Sequence, residues 1–307
     1  VSRIHLLDPR LTRKHLALGA TLYVPAIHPD LIHLAQGQKY PALKSLVVDT
    51  EDAIAEDDLP YAYHAIEKLL HVLSADHQER PLLFVRVRSP EGLAVLSQFS
   101  ALEKLDGLVL PKFNQDNMAD YFRNAADLKS LYFMPILEKN VFEWAQMAAI
   151  RDFLLPLRER ILSLRIGATD LLACFNLRRD CHTLIYDIGI IKHVITQCVM
   201  LFGQAGFNIT APVFECFGEA HRCLLQQETR LDLLNGLFGK TIIHPWQIEI
   251  VQALYRVSAE DLEIAEKLLD EYSPAVFKRH AQMHERATHS GWARQIVERA
   301  WIYGVTR

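Results

Sequence analysis

Short apolar or β-branched runs alternate with helix-length stretches along the 307 residues. The runs are ATLYVPAI (20–27), SLVVDTED (45–52), LLFVRVRS (82–89), GLVLPKF (107–113), LYFMPILE (131–138), ILSLRIGATD (161–170), NITAPVFE (208–215) and GKTIIHP (239–245), eight in all. They are continuously apolar rather than alternating, which is the pattern of strands buried on both faces. Strands separated by helices pair in parallel through crossover connections. Eightfold α/β alternation predicts a (β/α)8 TIM barrel. A doubly wound open sheet is the main competitor, but its glycine-rich first turn is missing, because the first run leads into VPAIHPD.

Beyond the eighth run, SAEDLEIAEKLLDEY starts with Ser258 as a helix N-cap followed by an acidic first turn, and SGWARQIVERAWIYGV has helical apolar spacing from Ser290. These two helices exceed the quota of a barrel. The chain therefore divides into a barrel over 1–257 and a C-terminal helical arm over 258–307. The polar stretch between the helices, SPAVFKRHAQMHERATH, reads as a connector. Trp292, Ile296, Trp301 and Tyr303 would leave a large apolar patch in water unless the arm packed on its own barrel or on another subunit.

Composition narrows the function. Half the residues are apolar, enough for one large core, and the chain is somewhat longer than the roughly 250 residues of a typical barrel. The net charge of -4 and a pI near 6.4 give no electrostatic footprint for nucleic acid or an anionic membrane. The N-terminus VSRIHLLDPRLTRKH lacks a signal-peptide core, and IGIIKHVITQCVMLFG is interrupted by Lys192 and His193, so it reads as an amphipathic or buried helix. A soluble, cytoplasmic protein of small-molecule chemistry is expected. The five cysteines are odd in number and form no CxxC pair, so reduced, mostly buried thiols are expected. The fourteen histidines include no HExxH and read as surface or satisfied core residues. LNGLFGKT ends like a phosphate loop, but Leu234 replaces its first glycine and GKT enters a strand, so no nucleotide site is expected.

The candidate chemistry lies at the strand ends. Asp49, Glu51 and Asp52 follow the second run, Arg86 and Arg88 lie on the third, and Lys112 and Glu138 end the fourth and fifth. Asp170, Glu215 and His244 end the last three. In a barrel these ends converge on the face where active sites form. Singly, the residues of the second run also fit helix capping, the arginines a rim ion pair, Lys112 a solvated loop and His244 a turn cap. Glu138 and Asp170 each end a strongly apolar strand, where a buried carboxylate is costly without a partner. Two carboxylates with waters suit an octahedral Mg2+, or Mn2+ in its place, leaving positions for substrate oxygens.

In the same order, LYVPAIHPDL, LVVDTEDAI, VRVR, GLVLPK, MPILE, IGATDLL and GKTIIHPWQIEIV resemble the citrate lyase β-subunit and malyl-CoA lyase branch of the HpcH/HpaI aldolase superfamily, from about Gly19 to Tyr255. With WARQIVERAWIYGV, the chain is most similar to the divergent carbon-carbon bond lyase group found with tellurite-resistance genes. The resemblance implies a Mg2+-dependent lyase or aldolase acting on a 2-oxo or 3-hydroxy acid or its acyl-CoA ester through a metal-stabilised enolate. It implies Glu138 and Asp170 as metal ligands, Arg86 as the substrate-carboxylate clamp, and Glu51, Asp52 and Lys112 as further catalytic positions. It also implies a homotrimer or a multiple of one. VRVR where the family has VRVN, and PAIHP where it has PG, touch the substrate or thioester region. They leave coenzyme A use open and allow a free dicarboxylate or other anion, since Arg88 adds charge. The alternative from another class is a catalytically silent barrel serving as a binding or scaffold subunit.

Overall fold

The computed structural model describes residues 6, 8, 10–74 and 80–306; residues 1–5, 7 and 9 of the N-terminal stretch read above lie outside these. All eight predicted strands form: β1 (Ala20–Pro25), β2 (Ser45–Asp49), β3 (Leu82–Arg86), β4 (Gly107–Leu110), β5 (Tyr132–Leu137), β6 (Leu164–Ile166), β7 (Ile209–Thr210) and β8 (Lys240–Ile242). They pair in parallel in the order β7-β6-β5-β4-β3-β2-β1-β8. A parallel bridge between Ala211 and Lys240 closes the ring, with the Ala211 amide donating to the Gly239 carbonyl at 2.8 Å. This closure is what separates a barrel from the open sheet.

The surrounding helices are α1 (Leu31–Ala35), α2 (Leu59–Val72), α3 (Pro90–Leu96), α4 (Met118–Asn124), α5 (Trp144–Leu154), α6 (Ala168–Ala173), α7 (Gly189–Cys198), α8 (Arg222–Leu234) and α9 (Gln247–Leu254). Their sequences account for them. α2 buries Ala62, Ile66, Leu69 and Leu70 at helical spacing, and α3 begins with Pro90 after Ser89, whose hydroxyl accepts from the Gly92 amide. The interrupted run 188–203 forms α7 and a π-helical turn over 199–203, burying Ile191, Val194, Ile195 and Cys198. Among the described residues no helix is long and apolar enough to cross a membrane.

The arm begins at β9 (Val257–Ser258) and α10 (Ala259–Leu269). The expected N-cap is present, with the Ser258 hydroxyl accepting from the Asp261 amide at 3.0 Å. The connector reading is corrected: β10 (Val276–Arg279) and β11 (Gln282–Glu285) form an antiparallel hairpin, turned by His280 and Ala281 at positive φ. Neither turn residue is glycine, so the usual sequence signal for a hairpin is missing. α11 (Arg286–Tyr303) starts before Ser290, and β12 (Val305–Thr306) returns to pair with β9. α10 and α11 share a small second core of Ile264, Ala265, Leu268, Ala293 and Ile296. The end of α11 packs on its own barrel. The Tyr303 hydroxyl donates to the Leu16 carbonyl at 2.6 Å, and its ring meets Phe238 and Tyr255.

The cysteine expectation is also corrected. Cys181 and Cys216 form a disulfide, Cys174 and Cys223 are exposed, and Cys198 is buried. Residues 35 apart in sequence meet because the loops after the adjacent strands β6 and β7 lie side by side. Spacing along the chain carries no record of that.

Candidate active site

A cavity of about 380 Å3 opens among the C-terminal ends of the strands. Asp49, Asp52, Arg86, Glu138 and Asp170 line it, with Tyr23, Ile136, Arg165, Ile166, Gly167, Val213, Thr241 and Ile243. Five strand-end residues chosen from sequence thus share one space. Parallel pairing forces this, because it brings every strand's C-terminal end to the same rim.

Glu138 follows β5 and is buried. Its Oε1 accepts from the Lys112 amide at 2.7 Å, the only hydrogen bond it receives among the described residues. Lys112 has φ +50°, uncommon without glycine, at the turn that ends β4. Glu138 Oε2 lies against Gly167, where an added Cβ would stand 2.0 Å from it. Only glycine leaves room for the carboxylate. Burial, and then the charge of Asp170, push Glu138 up to about 8. Asp170 sits in the first turn of α6 and its side chain is about one-third exposed. Two carboxylate groups that repel each other, one of them buried with an oxygen free of donors, fit a hard divalent cation. Among the described residues no group of three or more His, Cys, Asp or Glu side chains gathers as a metal cage. A metal here would have two protein ligands, with water or substrate completing its shell.

Arg86 is enclosed by acid. Its Nε and Nη2 donate to both Asp49 oxygens at 2.6 and 2.7 Å, and Nη1 donates to Asp52 at 3.2 Å. Glu51 Oε2 lies 2.7 Å from Nη1 but without the alignment of a hydrogen bond. The Asp49 fork is bidentate, a geometry that lysine cannot reproduce. Arg86, expected as the substrate-carboxylate clamp, is here the counterion of Asp49 and Asp52 at the cavity wall.

Glu51, Lys112 and Arg88 line a neighbouring recess of about 420 Å3, which shares Asp52 with the main cavity. The Lys112 ammonium contacts Glu51 and lies 3.3 Å from Asp52 and 3.9 Å from Asp170. Burial pushes Glu51 up to about 7, against the pull of Arg86 and Lys112. For Asp52 burial acts upward too, but Arg86 and Lys112 outweigh it and hold the carboxyl below its ordinary value. Arg88 does not reach the main cavity: it donates to the Ile54 and Glu51 carbonyls. Glu215 accepts from Thr169 at 3.2 Å, and His244 caps its turn through Trp246 while stacking on Phe217. Neither lines the cavity. The phosphate-loop look-alike enters β8, with Lys240 buried between Glu228 and Asp232.

Sequence reading missed Arg165. It lies in the middle of β6, fully enclosed, and donates to the Thr241 hydroxyl at 2.7 Å and toward the Met134 sulfur at 3.5 Å. The sequence signal is a single cation between Leu164 and Ile166, in mid-strand and away from the strand ends that carry the other charges.

The (3S)-malyl-CoA thioesterase of Cereibacter sphaeroides is 25% identical over 267 residues, covering 86% of this chain and 85% of the relative. Mitochondrial citramalyl-CoA lyase of Rattus norvegicus is 25% identical, covering 89% and 80%. Among solved structures, the protein CitE from Mycobacterium tuberculosis, in complex with magnesium, acetoacetate and coenzyme A, superposes with a TM-score of 0.66. That pair is 22% identical, covering 94% of this chain and 99% of the other. Residues 12–305 match the family described as C-C bond lyase of the TIM-barrel fold, so the chain belongs to that carbon-carbon bond lyase family.

Proposed function

We propose that this barrel is a Mg2+-dependent carbon-carbon lyase or aldolase acting on a 2-oxo or 3-hydroxy acid or its acyl-CoA ester. The observation that carries the reading is the placement of Glu138 and Asp170 in one cavity, with Glu138 pressed against Gly167 and given one backbone donor. Those two carboxylates would hold the ion. Once bound, it supplies Lewis acidity to the substrate's oxygens and stabilises enolate charge.

The chain's own residues supply the rest. Arg86, fixed by Asp49, holds positive charge at the cavity wall, and Ile136, Ile166, Val213 and Ile243 give that wall its apolar part. Glu51, near 7, is matched to proton exchange at neutral pH through its carboxyl oxygens. Asp52 lines both spaces and would carry that proton toward a substrate in the main cavity. The homotrimer implied by the family resemblance belongs to the same proposal.

Calorimetric titration with Mg2+ tests the metal site. The wild type is expected to bind it, and Glu138→Gln and Asp170→Asn are each expected to weaken it at least about tenfold, the loss of one charge-assisted ligand. Unchanged affinity in Glu138→Gln sinks the assignment. Because one relative is a thioesterase and another a lyase, the accompanying assay follows thiol release and oxo-acid release separately. Metal binding with no turnover of any oxo acid or acyl-CoA ester would instead favour a binding subunit.

A further inference from the structure

We propose that Arg165 binds a second anionic group of the substrate, a carboxylate at the end remote from the metal, making a short dicarboxylic 2-oxo acid the preferred ligand. This rests on the metal-dependent oxo-acid reading above and extends it to the far end of the molecule. Four cationic side chains are deeply buried in the described residues: Arg80, Arg165, Arg179 and Lys240. Arg80 pairs with Asp106, Arg179 with Glu228, and Lys240 with both Glu228 and Asp232. Arg165 is the exception. Its partners are the Thr241 hydroxyl, the Met134 sulfur and the face of Tyr23, 5.3 Å from the ring centroid, all of them neutral. A guanidinium removed from water without a carboxylate carries an uncompensated desolvation penalty, which a bound anion would offset.

Its position fits that role. Arg165 pairs in register with Ile136, two residues before Glu138. At about 3.3 Å per strand residue its backbone lies roughly 7 Å deeper in the barrel than that of the proposed metal ligand. The cavity extends to it, and Tyr23, Thr241 and Arg165 form a polar floor beneath the strand-end acids. An acid chelated at its oxo end by an ion at Glu138 and Asp170 would direct its other end toward this floor. Arg86, occupied by Asp49 and Asp52, is less free to take that carboxylate.

The test compares 2-oxoglutarate with 2-oxopentanoate by calorimetry in the presence of Mg2+. The two share the chelating end and the chain length and differ in the far carboxylate. The wild type is expected to bind 2-oxoglutarate about 10- to 100-fold more tightly, the usual worth of a charge-assisted pair. Arg165→Met is expected to erase that preference while leaving 2-oxopentanoate affinity within about twofold and the thermal midpoint unchanged or raised, since an unpaired buried charge is removed. A purely structural arginine would instead lower the midpoint and weaken both ligands together, which overturns the inference. A preference that is absent from the wild type, or that survives in Arg165→Met, overturns it as well. Should Arg165→Met fail to fold, Arg165→Gln is read by the same criteria. A wild type that binds neither acid overturns the oxo-acid reading itself, and this inference with it.

Discussion

At the scale of single residues, Glu138, Gly167 and Lys112 act together. Gly167 is required by space and not by turn geometry, because its missing Cβ is what admits the Glu138 carboxylate. Gly167→Ala should therefore displace that carboxylate and weaken Mg2+ binding about tenfold or more while the barrel still folds, checked by calorimetry beside circular dichroism. Retained affinity would show that the close approach is incidental. Glu138 and Asp170 were legible in sequence as acids ending apolar runs. Gly167 was legible only as a small residue, since nothing local announces which side chain will press on it.

At the scale of elements, the eight strands were legible because burial on both faces writes itself as an unbroken apolar run. The hairpin of β10 and β11 was not. Its strands are mostly exposed and polar, with Phe277 packed on the small core of α10 and α11. The last turn of α11 shows the opposite case, a local pattern with a distant purpose. Tyr303 reaches the N-terminal ends of the strands, beside Leu16 and Gly19, at the end of the barrel opposite the site. Tyr303→Phe keeps the ring and leaves the Leu16 carbonyl without that donor, so a loss of about 1–3 kcal/mol is expected in urea unfolding, with Mg2+ affinity unchanged. A change in metal affinity without one in stability would argue that the two ends are coupled.

At the scale of the whole molecule, stability depends on what the closed end buries. His15 is enclosed there, edge-on to Phe238, with its Nδ1 lacking a hydrogen-bond partner. Burial, helped by Arg13, lowers its pKa from 6.5 to about 3. Above pH 6.5 the ring is neutral in both folded and unfolded chains. Below it the unfolded chain takes up a proton that the folded one refuses, so stability falls as pH drops and levels off near 3. Between pH 7.5 and 5.5 the contribution is about 1.4 kcal/mol. The unfolding free energy of the wild type relative to His15→Phe should fall by that amount over the interval, the titration of other groups cancelling in the difference. No change in the difference would mean that His15 is reached by water or finds a partner.

The sequence by itself determined the strand count, the parallel α/β order and the rim carrying the acids, because periodicity and burial are local properties and parallel pairing sends every strand end the same way. The meeting of Cys181 with Cys216, the enclosure of Arg86 by Asp49, and the isolation of Arg165 among neutral groups were decided by tertiary structure alone. The disulfide depends on two loops lying side by side, and the other two on register and on which side of a strand faces inward. A shift of one residue inverts that facing and leaves the composition of the run untouched.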